Sequence, residues 1–85
     1  MTPLVYMKPT STDCQEVVEY FHRMGAGVGI KDVSESHENY EEAYRIFSGE
    51  FPDQPLRLPI TVIDDRYLFG VAAVYAHMEN LKFGS

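Results

Sequence analysis

The sequence predicts a single α/β domain of element order β-α-β-α-β-β-α, a four-stranded mixed sheet with helices on both faces. Three observations carry this expectation. Apolar residues switch repeatedly between short strand-like runs and stripes at helical spacing. Clusters of Gly, Pro, Ser, Thr and Asp punctuate each switch. The 85 residues, 45% of them hydrophobic, suffice for one core but not for two. The domain is therefore read as residues 1–85, with no repeat, linker or low-complexity tract.

Leu4 to Met7 is a short apolar run that stops at Pro9, as a buried strand does. From Asp13 the period changes. Cys14, Val17, Val18, Phe21 and Met24 share one helical face, while Glu16, Glu19 and Arg23 lie mostly off it. Thr10, Ser11, Thr12 and Asp13 are candidate N-caps, and Gly25 and Gly27 stop the helix. Gly27 to Val33 reads as a second strand, and Ser34 to Ser36 caps a second helix. The stripe of that helix is Tyr40, Ala43, Tyr44 and Phe47, all expected in the core, and Gly49 with Pro52 ends it. Leu58 to Ile63 is a third strand rich in β-branched residues. Asp64-Asp65 forms a tight turn into Tyr67 to Phe69, so the last two strands make a hairpin. Val71, Val74, Tyr75, Met78 and Leu81 close the chain as an amphipathic helix.

Composition removes several classes of function. A net charge of −6 and scattered Lys and Arg leave no positive patch for phosphate backbones, so nucleic acid is not an expected partner. With Cys14 alone no internal disulfide forms, which fits a reducing compartment and a cytoplasmic location. The N-terminus lacks a secretory apolar region, and no run approaches the roughly 20 residues that span a bilayer, so no membrane association is expected. His22, His37 and His77 do not pair at helical spacing or join a cysteine cluster; they read as surface residues, with no metal site. The acidic stretch Glu35 to Glu42 reads as a solvated helix start.

Three points along the chain, taken in register, resemble the glutaredoxin branch of the thioredoxin fold. The segment VYMKPTSTDC is similar to that family's strand, Lys-Pro, and C-x-x-C at the start of the first helix, with Ser11-Thr12-Asp13-Cys14 as the quartet. Leu58-Pro59 before an apolar strand is like the family's Val-Pro, whose proline is cis and whose preceding residue pairs through its backbone with a bound thiol peptide. Phe69-Gly70 before the last helix is like the Gly-Gly that opens a glutathione-binding turn. The resemblance covers nearly the whole chain. It implies a thioredoxin-like fold, thiol-disulfide redox chemistry and a site built from Lys8, Thr10, Ser11, Cys14, Leu58, Pro59 and Gly70.

The sequence departs from that pattern at the position that matters most. Ser11 stands where the family keeps its nucleophilic cysteine, and a hydroxyl without an adjacent general base is a poor nucleophile. Read from the residues alone, Ser11 is a helix N-cap. Cys14 takes the resolving position, either as a small buried hydrophobe or as a single reactive thiol in the first helical turn with Lys8 upstream. An acidic residue that the resemblance places after the Gly-Gly is replaced by Val71, Ala72 and Ala73, so glutathione is expected to bind weakly, held by Lys8, Leu58 and Pro59 with Arg57 nearby. Iron-sulfur ligation, which the resemblance assigns to the position of Ser11, is disfavoured.

Two functions follow. One is a protein of thiol-disulfide redox homeostasis with attenuated or lost dithiol oxidoreductase activity, keeping single-cysteine chemistry at Cys14. The other is a catalytically silent binding module for a peptide, a thiol metabolite or a partner protein. The expected partner is a thiol or disulfide protein or glutathione, and the expected state is a monomer, or a Cys14-linked dimer where that thiol is exposed.

Overall fold

The computed structural model describes residues 2–83. Four strands, β1 (Leu4–Met7), β2 (Gly29–Asp32), β3 (Ile60–Ile63) and β4 (Arg66–Phe69), form one sheet of order β2-β1-β3-β4. Strand β2 lies parallel to β1, and β3 is antiparallel to both β1 and β4. Three helices, α1 (Thr12–Arg23), α2 (His37–Glu50) and α3 (Val71–Phe83), complete the predicted order.

Strand alternation sorts the side chains into two cores. Val5, Met7 and Ile63 meet Cys14, Val17, Val18 and Phe21 of α1 and Val74 and Met78 of α3. On the other face Tyr6 and Ile60 meet Val33 and the α2 residues Ala43 and Phe47. Each fully buried side chain of this size contributes about 1.5–3 kcal/mol by leaving water, so both layers are needed to hold so short a chain. Thr61, paired with Val5 across the ladder, points into the α1/α3 layer, where its hydroxyl is fully buried with no partner among the described residues.

The parallel register sets Lys31 beside Tyr6, and both reach Glu42 of α2. Lys31 Nζ and the Tyr6 hydroxyl donate to Glu42 Oε1 at 2.7 and 2.8 Å. The Lys31 ammonium first, then the Tyr6 hydroxyl, holds the Glu42 carboxyl below the usual carboxylate range. Burial, reinforced by Glu42, pushes the Tyr6 hydroxyl up to about 12.

Several expectations are corrected. Tyr40 and Tyr44 are 40% and 51% exposed, because α2 turns Ala43 and Phe47 inward and leaves the tyrosines on its outer side. Met24, the C-cap of α1, and Leu81, near the end of α3, are also exposed. Helix α2 continues through Gly49 to Glu50 and caps on Phe51, so Gly49 is helical and not a stop. His77 is not a surface residue: its side chain is only 11% exposed and its Nε2 lies 3.4 Å from Asp64. The hairpin turn is as expected, with Asp64 and Asp65 both at positive φ, the geometry of a two-residue turn matched to strand twist.

Candidate ligand groove

Ser11 has an extended backbone (φ −88°, ψ 123°) and is the N-cap of α1; its Oγ accepts the Cys14 N–H at 3.4 Å, and its carbonyl accepts Gln15 N–H at 3.1 Å. Its own N–H donates to the Lys8 carbonyl at 3.1 Å, which closes the turn through Pro9 and Thr10 that delivers β1 into α1. Of the four candidate caps, Ser11 takes the role because it is the last residue before the helical dihedrals begin. Cys14, one turn on, points the other way, into the core between the sheet and α1, and is 0% exposed. A dimer linked through Cys14 needs its thiol at the surface, and this burial removes that route in the native fold.

Opposite the helix start, the Leu58–Pro59 peptide is cis and Pro59 is fully buried. The Pro59 carbonyl accepts the Gly70 N–H at 3.1 Å, so the start of β3 and the turn into α3 are tied together. Gly70 sits at φ +90°, a conformation that a side chain strains, which is why glycine precedes α3 here. Of the expected residues, Lys8, Ser11, Leu58 and Gly70 line the space between these two segments, while Cys14 and Pro59 are buried behind it.

Leu58 divides the space between them. On one side lies a cavity of about 400 Å³ lined by Lys8, Ser11, Tyr40, Pro55, Leu56 and Leu58. On the other lies one of about 340 Å³, whose floor is Phe47, Phe51 and Phe69 and whose rim carries Asp13, Gln54, Arg57 and Gly70. The three rings pack edge-on or tilted at 5.0–5.7 Å between centroids, a rigid apolar base. Leu58 packs against both cores, so the ridge between the cavities is held from both faces of the sheet. Thr10 is exposed and lines neither cavity.

The sequence places Asp13 within the Thr10–Cys14 wall of the groove, and what that reading missed is its role as the anion there. The residues that follow Gly70, Val71 to Ala73, carry no anion. The chain brings Asp13 from the first turn of α1 to the same cavity as Gly70 and Arg57. Tyr40 was missed too, because a core assignment took it out of consideration. The signal for Asp13 was present in its place inside the Ser11–Cys14 quartet, which folds against the Gly70 turn; the reach of Tyr40 depends on the pose of α2 and has no local signal.

This arrangement, a mixed four-stranded sheet between one helix and two, with a helix N-terminus facing a cis-proline strand, defines the thioredoxin fold. No protein-family model and no curated protein matches the chain. Solved structures do. A dithiolic glutaredoxin of Trypanosoma brucei brucei is similar at a TM-score of 0.77 with 15% identity, over 96% of this chain and 81% of that one. A buckwheat glutaredoxin in complex with glutathione is similar at 0.74 with 17% identity, over 96% and 69%. A glutaredoxin of Brucella melitensis is similar at 0.70 with 21% identity, over 96% and 85%. The chain thus has the glutaredoxin-like form of that fold.

Proposed function

We propose that this chain is a glutaredoxin-like groove-binding protein that has lost dithiol oxidoreductase activity and takes an extended thiol-bearing ligand, glutathione or a peptide, along Lys8, Ser11, Leu58 and Gly70. The observation that carries the reading is the division of labour at the start of α1. The Ser11 oxygen is engaged as a helix cap, the one thiol of the chain is sealed in the core, and the groove beside them stays open.

Dithiol exchange needs a thiolate at the surface to attack a disulfide sulfur, and a second thiol to release the mixed disulfide. With Ser11 capping and Cys14 covered, neither group is presented. Binding is a separate matter. Lys8 at one end of the groove is a cation for a ligand carboxylate. Asp13 and Arg57 at the other supply an anion and a cation for an α-amino acid end, above an apolar floor. The glutathione of the buckwheat complex is one ligand of this chemistry.

The test compares wild type with Ser11→Cys in turnover of a mixed glutathione disulfide, alongside titration of each with reduced glutathione followed by amide chemical shifts. The expected result is turnover by the variant only, with shifts at Lys8, Leu58 and Gly70 in both. Wild-type turnover equal to the variant's overturns the loss of activity, and an absence of shifts at those residues overturns the groove assignment.

A further inference from the structure

Helix α2 carries an outward ridge that the fold leaves uncovered. His37, Tyr40 and Tyr44 stack in a row, with successive centroids 6.3 Å apart and planes inclined by 15° and 20°. With Glu41, Arg45 and Ser48 they line a shallow hollow of about 600 Å³. Aromatic faces on an exposed helix are costly to leave in water and are enriched where proteins meet.

We infer that this ridge is the contact of a homodimer in which two copies of α2 pack antiparallel about a two-fold axis. Any helical stripe of this spacing maps onto itself under such an axis; the chemistry of the mapped pairs is what discriminates. Here Tyr40 meets Arg45 of the second copy, a cation over an aromatic face. Glu41 meets Tyr44, a carboxylate against a hydroxyl donor, and His37 meets Ser48. Each pair occurs twice, every polar group of the ridge finds a complement, and no like charges are opposed.

The geometry also bounds the strength. A helix of 14 residues is about 21 Å long and about 10 Å across, so the contact covers far less than the about 800 Å² per partner of a standard interface. Two chains of net charge −6 also repel one another. The dimer is therefore weak, with dissociation in the micromolar-to-millimolar range, and salt strengthens it by screening that repulsion. Since Tyr40 also lines the cavity of Lys8 and Ser11, the contact ends at the mouth of the groove.

Sedimentation velocity on the full chain, from micromolar to millimolar concentration at low and moderate salt, tests this. Wild type should move from monomer to dimer with concentration, more readily at higher salt. Tyr44→Glu sets one carboxylate against Glu41 of the other copy, at both symmetry-related positions, and should weaken the dimer by more than about tenfold, while circular dichroism and thermal unfolding stay as in wild type. The double variant Glu41→Arg/Tyr44→Glu replaces repulsion by two ion pairs and should restore association. A wild type that stays monomeric at millimolar concentration overturns the inference and leaves the ridge to a different protein. So does association that Tyr44→Glu does not weaken, or that salt dissolves.

Discussion

Burial of Cys14 makes its reactivity a measure of how often α1 opens. The residue is 0% exposed among Val17, Val18 and Phe21, so an alkylating reagent reaches the sulfur only after an opening event. For 85 residues, global stability is about 4–13 kcal/mol, which sets the upper limit of protection. Fraying of the first helical turn is cheaper, so native protein should react at least about a hundredfold more slowly than denatured protein, the equivalent of about 2.7 kcal/mol of opening. The Ser11 cap stands directly on that turn. Replacing it in Ser11→Ala costs about 1 kcal/mol, lowers the melting temperature by about 4–8 °C, and speeds alkylation about fivefold if opening is local. The assay is the rate of alkylation by a small electrophile, native against denatured, with the melting curve beside it. Native Cys14 reacting as fast as the denatured residue refutes the sealed-thiol argument. A Ser11→Ala variant with unchanged rate and melting temperature refutes the capping role.

Other perturbations follow from particular atoms. Thr61→Val keeps the side-chain shape and removes a buried hydroxyl that lacks a partner among the described residues, so chemical denaturation should show a gain of about 1–2 kcal/mol; a loss means that the hydroxyl is satisfied in solution. Asp65→Gly relieves a positive φ of 62° in the hairpin turn and should raise stability by about 0.5–1 kcal/mol in the same experiment, with destabilisation as the contrary result. The Tyr6–Glu42–Lys31 cluster should make stability pH-dependent on both sides. Glu42 is held low in the folded state, so its contribution is present at neutral pH and is lost as pH falls through its folded value. Tyr6 is raised from 10.0 to about 12, so its contribution is present below pH 10.0 and fades as pH climbs to about 12. Tyr6→Phe should flatten the alkaline limb in urea melts across pH, and an unchanged limb counts against the cluster.

Most of the architecture was legible in the sequence because it is written in local periodicity. Strand β1 begins and ends where the apolar run does, and the Ser11 and Ser36 caps and the Asp64-Asp65 turn fall among the residues singled out for those roles. The error at Tyr40 and Tyr44 has a plain cause. A helical stripe says which residues lie on one side, not how that side is rotated against the sheet. Ala43 and Phe47 face the sheet, whereas Tyr40 and Tyr44, assigned to the core by their helical spacing with them, lie on the outer side, where tyrosine is common. The groove was half legible. Lys8, Ser11, Leu58 and Gly70 line the two cavities and Thr10, Cys14 and Pro59 do not, whereas Asp13 and the phenylalanine floor come together only through tertiary packing.

The position of Leu58 bears on how this groove could be changed over generations or by design. Its side chain is shared between both packing layers and both cavities, so a substitution there alters ligand fit and folding together, and selection cannot act on one without the other. The exposed residues at the two ends, Lys8 on one side and Asp13 and Arg57 on the other, carry no such burden. On the proposed function, recognition is thus free to drift at the ends of the groove while its centre is held constant by the fold, and new ligand preferences should arise first at Lys8, Asp13 and Arg57.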